Sequence, residues 1–449
     1  MFKPYDRNIS YLLPPSVDEW LPSDHLARFI SEITENLDIS TIRNSYSTRG
    51  ENAYNPSILL GLLFYGYATG TFSSRKIEEK SYTCIDFRYI AANQHPDHDT
   101  IANFRKRFLP ELKSLFLQVL IIAREMGVPK IGKVSLDGTK IKANASKHKA
   151  LSWGYAKKLE EQLQDEINSL MKKAQTTDDL DEDTGMSIPE ELAIRKDRLK
   201  EIQDAKKRIE QRTQERYKKE KTSYDSKIKK REEKEKSTGK KSGGRAPKEP
   251  NPEPLSKDQI NLTDEESRIM PVSGKGFGQC YNAQTSVDIE SMLIVGSHVT
   301  NATNDKQQID PAIEELKKLP KNVAKIEDLL ADTGYNSQHN LTSCINNKIN
   351  PLIAQKRDKH HPSPEERFKE PEPLKEGATE IEKACHRLKT QEGKKIYAKR
   401  KSTVEPVFGI IKSVLGFRQF MLRGFDNVSG EWDLVSIAWN LKRLHKITA

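Results

Sequence analysis

Three acidic residues, Asp137, Asp332 and Glu405, stand where they could serve metal-dependent phosphate chemistry. Asp137 closes the run VSLD before Gly138, and Asp332 closes DLLAD before a Thr-Gly pair. Ligands of open α/β sheets collect beyond the carboxyl ends of the strands, so both positions are suitable. Carboxylates suit Mg²⁺, and two such ions can flank a phosphodiester and support its attacking and leaving oxygens. A lone strand-end Asp is more often a turn former or a helix cap, and spacing alone does not bring the three acids together.

Glu405 lies at the start of a predicted helix in the string YAKRKSTVEPVFGIIK. Thr403 is expected to cap this helix, with Pro406 in the first turn, where proline is tolerated. Lys412 follows Glu405 by seven residues, which at about 100° per residue leaves the two side chains about 20° apart on one side of the helix. A carboxylate and a cation in this arrangement can hold a metal ion and steady a phosphate. A surface Glu beside a surface Lys is the commoner meaning of such a pair.

Apolar patterns around these acids predict a mixed sheet. Val134 and Leu136 indicate a strand, followed at Asp137-Gly138 by a tight turn and then a continuation or a hairpin. Gly138 and Gly334 would let a phosphate backbone approach without a Cβ in the way. The other predicted elements are a hairpin of strands at 279–288 and 292–299, a helix around 309–316, a strand at 326–331, a helix near 337–348, a strand at 351–354, and helices from 403 and at 433–444. This alternation is typical of an α/β layer with flanking helices.

Residues 1–125 are predicted to form an all-α domain. Asn55 and Pro56 open an apolar helix, and Ser74 is expected to cap a short basic helix. From Thr100 a further helix has apolar residues on one side and basic residues on the other. Such a helix is typical of a helix-turn-helix reader of DNA, and a helical bundle with a solvated basic face fits as well. The candidate DNA contacts of this region are Arg75, Lys76, Arg105, Lys106 and Arg107.

Residues 156–256 are predicted to be an insertion built on a helical hairpin. Two stretches with helical periodicity flank an acidic, loop-like segment at 178–183, which favours an antiparallel pair of helices. The second stretch is basic, with 18 Lys and Arg against 10 Asp and Glu in residues 195–236. Gly and Pro cluster in 237–256, which is therefore expected to be a flexible linker. The basic helices are compatible with DNA phosphates, with a second subunit, or with simple solvation.

Length and composition limit the classes to which the protein can belong. The 449 residues allow two to four domains, and a net charge of +10 favours a polyanionic partner such as nucleic acid without deciding the matter. No apolar run has the roughly 18–20 residues that a membrane span needs, and the first residues lack the apolar core of a signal peptide. Four cysteines stand far apart without a CxxC pair, which fits reduced thiols. A cytoplasmic protein is expected.

Five strings occur in order along the chain: SLDGTKIKANASKHKALSWG, GQCYNAQTSVD, VTNATNDKQQI, LLADTGYNS and RKSTVEPVFGIIK. Together with NPSILLGLLFYGYATGTFSSRKIEEK and HDTIANFRKRF before them, they resemble the transposases of bacterial insertion sequences, which have a DDE, RNase H-like catalytic domain after a helical domain. The resemblance covers nearly the whole chain. It implies that 130–155 and 257–449 form the catalytic core and that Asp137, Asp332 and Glu405 are its metal-binding triad.

The resemblance also implies an activity. Such an enzyme binds the terminal inverted repeats of its element, cuts phosphodiester bonds at the ends and joins the 3′-hydroxyls to target DNA. The implied cofactor is Mg²⁺, with Mn²⁺ able to substitute, and two DNA ends require a dimer or a larger assembly. A DNA-binding regulator that has lost its chemistry is a rival, against which the three carboxylates argue. A structure-specific nuclease of the same fold is another.

Some related transposases carry a Tyr, Arg, Glu, Lys signature with two, three and six residues between its members. Glu405 and Lys412 keep the last interval, which implies a catalytic role for Lys412. Tyr397 and Arg400 stand one place too early, so that Lys401 takes the basic position. Arg400 and Lys401 are both candidate DNA contacts. Polar residues that recur in these strings are expected to serve hairpin pairing and helix capping: Asn282, Gln284, Asp305 and Gln307.

Overall fold

The computed structural model describes residues 16–46, 53–178, 188–239, 243–244, 246–272, 274, 276–355, 370–374 and 376–448. The chain divides into two compact units, Met1–Asn144 with Ile269–Ala449, and Ala145–Arg268. The sequence predicts narrower bounds, 156–256, for the inserted unit. It also predicts a separate helical domain at 1–125, whereas these residues share the first unit with the sheet.

The first unit begins with helices, as the sequence predicts. They are α1 (Val17–Trp20), α2 (Leu26–Asn36), α3 (Ser40–Asn44), α4 (Pro56–Ala68), α5 (Ser74–Thr83), α6 (Ile85–Ile90), α7 (His98–Arg107) and α8 (Leu112–Glu125). Asn55 caps α4 by accepting from the amide of Ser57, and Pro56 occupies the first turn. Ser74 does not cap α5: the cap position is Ser73, and Ser74 is a buried residue of the first turn. Helix α4 is apolar on nearly all faces and is therefore buried on nearly all faces.

The chain then forms strand β1 (Ile131–Lys142) and enters the second unit. This unit contains β2 (Ala150–Ser152), α9 (Trp153–Asp178), α10 (Ile188–Thr238) and β3 (Gln259–Asn261). The predicted hairpin is confirmed, because Arg195 and Lys206 of α10 pair with Glu166 and Glu160 of α9 in antiparallel order. Its core is formed by Leu151, Trp153, Ala156, Leu163, Ile202, Ala205, Ile209 and Ile260. Most of the acidic loop, residues 179–187, lies outside the described residues.

The return from α10 does not form the isolated linker that its composition indicates. Asp258 pairs with Arg216 at 2.9 Å, Glu249 pairs with Lys221 at 3.3 Å, and the carbonyl of Gly244 accepts from Arg231. The segment therefore runs antiparallel to α10. Gly and Pro prevent a regular element there, while side-chain pairs still fix its path.

The rest of the chain completes the first unit. It forms β4 (Arg268–Val272), β5 (Gly276–Asp288), β6 (Ile294–Thr300), α11 (Ile309–Lys317), β7 (Ala324–Ala331), α12 (Gln338–Asn346), β8 (Asn350–Ile353), α13 (Glu380–Arg387), α14 (Gln391–Ala398), α15 (Val404–Gly409), a π-helix (Ile410–Val414) and α16 (Phe425–Thr448). Helix α16 packs against α4, α8 and β6, and its Trp432, Ile437 and Leu441 are fully buried. The N-terminal helices and the sheet therefore share one core through α16.

The sheet is mixed, which confirms the sequence prediction. Its strands lie in the order β4-β5-β1-β7-β8, and β6 pairs with β5. Strand β5 is antiparallel to β1 and β6, and β7 is parallel to β1 and β8. The pairing of β1 with β7 reaches only Ser135 and Leu330, whereas its pairing with β5 continues to Lys142 and Cys280. Strand β1 thus runs on past the end of β7.

The predicted turn at Asp137-Gly138 is wrong. Asp137 pairs with Thr285 and Gly138 with Gln284 in an unbroken ladder. Backbone pairing with β5 overrides the local preference of Asp-Gly for a turn. No helix among the residues described above is long and apolar enough to cross a membrane.

Candidate active site

Asp137 and Asp332 lie side by side where β7 ends. Ser135 pairs with Leu330, so two residues further along each strand come Asp137 and Asp332, on the same face of the sheet. Asp332 accepts from the amide of Gly334 at 2.8 Å and begins a short 3₁₀ turn. The two carboxylates are close enough for Asp332 to raise the pKa of Asp137. The structure thus brings these two predicted residues together.

Arg400 joins this pair to Glu405. Its Nη1 lies 3.2 Å from Asp137 Oδ2, and its Nη2 lies 3.1 Å from Glu405 Oε1. Burial lowers the pKa of Arg400, but Asp137, Glu405 and Asp332 raise it, with a net rise. Arg400 Nε is buried and has no hydrogen-bond partner in the described part of the chain. The guanidinium is therefore shared by Asp137 and Glu405, and Asp332 is close enough to raise the pKa of Arg400 further.

The local chain path explains why Arg400, one place out of the signature, still reaches this position. Helix α14 ends at Ala398, and α15 begins at Val404. Residues 399–403 form a turn, which absorbs the extra residue between Arg400 and Glu405. Thr403 precedes α15 but its side chain does not cap it, because the hydroxyl donates to the carbonyl of Lys399. Lys401, expected in the basic position, is exposed.

Burial sets the electrostatics of Asp137. It raises the pKa of this carboxyl to about 6, against the lowering effect of the Gly138 amide and Arg400, and Asp332 and Asp305 raise it further. The amide of Gly138 donates to Asp137 Oδ1 at 2.8 Å. A largely buried carboxylate with acidic neighbours and one shared guanidinium is suited to binding a cation.

Lys412 reaches the face of β1 that carries Asp137, but the helix that positions it is not the regular one that the sequence predicts. The count of about 100° per residue holds only to Gly409, because Ile410–Val414 form a π-helix. Lys412 Nζ donates to Thr139 Oγ1 at 3.0 Å, and Thr139 follows Asp137 by two residues on β1, hence on the same face. Burial lowers the pKa of Lys412, and the nearby Arg418 lowers it further.

A second polar cluster lies on the opposite face of β1. Asp305 Oδ1 accepts from Asn282 at 2.6 Å, from Gln284 at 2.7 Å and from Lys140 at 3.2 Å. Tyr335, fully buried, donates its hydroxyl to Gln284 Oε1. The sequence predicts pairing and capping roles for Asn282, Gln284 and Asp305, whereas in the structure they bond to one another. The available signal was the spacing of Asn282 and Gln284, which places both on one face of a strand.

This cluster fills the space that Gly138 leaves. A Cβ at Gly138 would lie 2.1 Å from Gln284 Nε2, 2.7 Å from Asp305 Oδ1 and 2.9 Å from Asn282 Oδ1. The prediction that Gly138 makes room for a phosphate backbone is therefore wrong, because protein side chains occupy that space. At Gly334 a Cβ would meet Asp332 Oδ1 at 3.0 Å.

The carboxylate side chains at this site are of the type that divalent metal ions prefer. Carboxylate oxygens are the ligands that hard divalent cations prefer; Asp137 and Glu405 reach one guanidinium, and Asp332 lies beside Asp137. No group of three or more His, Cys, Asp or Glu side chains is gathered closely enough to hold a metal ion among the described residues. At this site the Arg400 guanidinium lies between Asp137 and Glu405. These two carboxylates and Asp332 could hold an ion only in place of that guanidinium.

The predicted basic face of α7 does not include Arg105. Arg105 is buried, and its Nη1 donates to Tyr67 Oη and to the carbonyl of Phe72, both at 3.0 Å. The buried Glu431 accepts from Tyr67 at 2.8 Å, and the charge of Arg105 lowers the pKa of Glu431 against the larger effect of burial. Arg105 follows Ile101 by four residues and so shares its apolar face. It serves the core.

The other candidate DNA contacts lie at the surface. Arg75, Lys76 and Lys106 are exposed. Arg107 is exposed as well, and its guanidinium lies over the rings of Tyr46 and Phe108 at 5.3 and 5.0 Å. These four positions are accessible to a polyanion.

Comparisons with known proteins identify the family. Residues 15–107 match the model of a Transposase domain (DUF772), and residues 245–441 match that of a Transposase DDE domain. The second match contains Asp332, Glu405 and Lys412, whereas Asp137 precedes it. No curated protein and no solved structure matches the chain significantly. The two matched segments together cover more than half of the chain, which belongs to the insertion-sequence transposases that join a helical transposase domain to a DDE domain.

Proposed function

We propose that this transposase binds the terminal inverted repeats of its element, cleaves the phosphodiester bonds at the ends and transfers the 3′-hydroxyls to target DNA, with Asp137, Asp332 and Glu405 as ligands of Mg²⁺ or Mn²⁺. One observation carries the proposal: Asp137 on β1 and Glu405 on α15 both pair with the guanidinium of Arg400, and Asp332 at the end of β7 lies beside Asp137. Acids from distant parts of the chain that gather beside one cation are characteristic of a functional site rather than of a turn or a cap.

The strand order supports an RNase H-like core. A long central strand, β1, lies between an antiparallel neighbour and a parallel one, and the acids come from the middle of β1, the end of the parallel strand and a C-terminal helix. We propose this fold for the catalytic part of the first unit.

Each side chain has a role that follows from its position. When bound, divalent ions activate the attacking oxygen and stabilise the leaving oxygen of an in-line displacement at phosphorus. The β1 and β7 backbones fix Asp137 and Asp332 relative to one another, since both follow from one register. Lys412, held by Thr139 two residues from Asp137, is placed to neutralise a non-bridging phosphate oxygen. Arg400, when it is released from the acids, has two donors that fit a phosphate.

Double-stranded DNA is the proposed substrate. Two element ends must be held together for strand transfer, so we propose that the active form contains at least two copies of the chain. The exposed cations Arg75, Lys76, Lys106 and Arg107 are proposed contacts to the duplex, together with Lys401.

A cleavage and strand-transfer assay tests the proposal. Inverted repeats that bracket the coding region supply the substrate, and Mg²⁺ or Mn²⁺ is added. Asp137→Asn, Asp332→Asn and Glu405→Gln should each reduce cleavage to background while binding of the repeats persists, because each removes a metal ligand. Glu327→Gln, an exposed position on β7, is the matched control and should cleave normally.

Other outcomes would change the assignment. Substantial cleavage by any of the three variants would remove that residue from the site. Cleavage without joining would favour a structure-specific nuclease, and binding by the wild type without cleavage would favour a regulator.

A further inference from the structure

The part of β1 that extends past β7 has a second neighbour. The amide of Lys142 donates to the carbonyl of Arg418 at 3.2 Å, and the amide of Phe420 donates to the carbonyl of Lys142 at 2.9 Å. Further along, Arg423 Nε donates to the carbonyl of Asn144 at 2.9 Å. Residues 417–423 therefore lie beside the extension. Lys142 is the last residue of β1, and Arg423 contacts the chain two residues beyond it, at Asn144.

Cations gather along this extension without matching acids. Residues 138–144 and 406–425 contain no Asp or Glu. Lys142, Arg418 and Arg423 are exposed, and none of them forms a salt bridge with an acid of the described ranges, in contrast to Lys140, which pairs with Asp305 at 3.2 Å. Arg418 Nε donates to the carbonyl of Lys412 at 2.9 Å, which keeps two like charges close together. The extension is thus a place of uncompensated positive charge.

We propose that Lys142, Arg418 and Arg423 form a phosphate-binding strip for duplex DNA along the edge of the sheet where β1 extends past β7, with Lys142 on the opposite face of β1 from Asp137. The seven residues from Asp137 to Asn144 rise by about 23 Å, the length of about six or seven base pairs. The main-chain pairing of Lys142 with residues 418–420 and the contact of Arg423 to Asn144 spread the three cations along this length, which suits a repeating polyanion better than a single small anion. The strip rests on the proposed function, since duplex DNA is the substrate proposed there.

Salt-dependent binding tests the strip in the full-length protein. Lys142→Gln, Arg418→Gln and Arg423→Gln are combined, and the affinity for labelled duplexes of end and scrambled sequence is measured by fluorescence anisotropy over a range of salt concentrations. Affinity for both duplexes should fall by roughly 10- to 100-fold at low salt, and the slope of log K against log salt should decrease by about 2–3. Lys317→Gln, Lys321→Gln and Lys325→Gln together remove the same charge near the opposite end of β7 and should leave the slope unchanged.

A charge-conserving variant separates the strip from a structural effect. Lys142→Arg, Arg418→Lys and Arg423→Lys keep three cations but lose the guanidinium hydrogen bonds to Lys412 and Asn144. This variant should keep the wild-type salt slope. An unchanged slope in the Gln variant, or an equal loss in the charge-conserving variant, overturns the strip while the proposed function stands. Failure of the wild type to bind either duplex would instead count against the proposed function.

Discussion

Replacement of Arg400 by Gln removes the cation shared by the acids. The pair with Glu405 is half exposed and contributes about 0.5 kcal/mol. The pair with Asp137 is largely buried, with side-chain exposures of 12% for Arg400 and 20% for Asp137. Loss of one partner of a fully buried pair costs about 3–5 kcal/mol, and here about 2 kcal/mol is reasonable because Asp137 still accepts from the amide of Gly138. We expect the variant to be about 2–3 kcal/mol less stable in EDTA, a decrease of about 5 °C in Tm.

Metal should reverse part of this loss. With Arg400 absent, a divalent ion is the remaining counter-ion for Asp137, Asp332 and Glu405, so Mn²⁺ should raise the Tm of Arg400→Gln more than that of the wild type. Differential scanning calorimetry with EDTA and with Mn²⁺ measures both effects. Lys399→Gln is the matched control, since Lys399 pairs with Glu290 at the surface and should change neither value by much. If Arg400→Gln were as stable as the wild type in EDTA, or if Mn²⁺ stabilised both proteins equally, the shared-cation argument would be refuted.

Three further predictions concern residues around the site. Arg105→Met should lower the free energy of unfolding by about 3 kcal/mol in denaturant titrations, since it leaves the buried Glu431 without its cation; Lys106→Met should be neutral, and equal stability of the two variants would contradict the burial argument. Gly138→Ala should cost about 1–3 kcal/mol because its Cβ would displace Gln284 and Asp305, whereas Gly132→Ala, whose nearest contact is Lys325 O at 3.8 Å, should cost much less. Burial lowers the pKa of His298 from 6.5 to about 4, so between these pH values the unfolded chain binds a proton that the folded chain does not. The free energy of unfolding should therefore fall by up to about 3 kcal/mol as the pH decreases through that window. His298→Gln should lack this part of the acid sensitivity, and identical pH profiles of the variant and the wild type would refute the assignment.

Patterns that depend on neighbours in the chain could be predicted from the sequence. The hairpin of β5 and β6, the strand that ends before Asp332 and the apolar helix that begins at Pro56 all rest on local signals, and the structure has them. The paired helices of the insertion follow from two apolar periodicities separated by an acidic loop, which is also a local pattern.

Features decided by distant contacts were missed. Asp137-Gly138 is a good turn by local preference, but the ladder with Thr285 and Gln284 keeps it extended. A regular helix would place Lys412 about 20° from Glu405, and the π-helix shifts its direction. The sharing of Arg400 between two acids depends on a turn whose geometry the sequence alone does not specify. The sequence motifs therefore indicate Asp137, Asp332 and Glu405, whereas the position of Arg400 between two of them depends on the fold.

The insertion has an evolutionary consequence that follows from the sheet. It separates β1 from the strand that is its direct antiparallel neighbour, and Lys142 at one side of the gap pairs with Cys280 at the other. Two such strands need only a short hairpin between them, so any segment whose own ends lie close together can replace that hairpin at a small entropic cost. The register that sets Asp137 beside Asp332 does not depend on what is inserted. Exchange, enlargement or loss of the inserted unit is therefore expected to leave the positions of Asp137 and Asp332 unchanged.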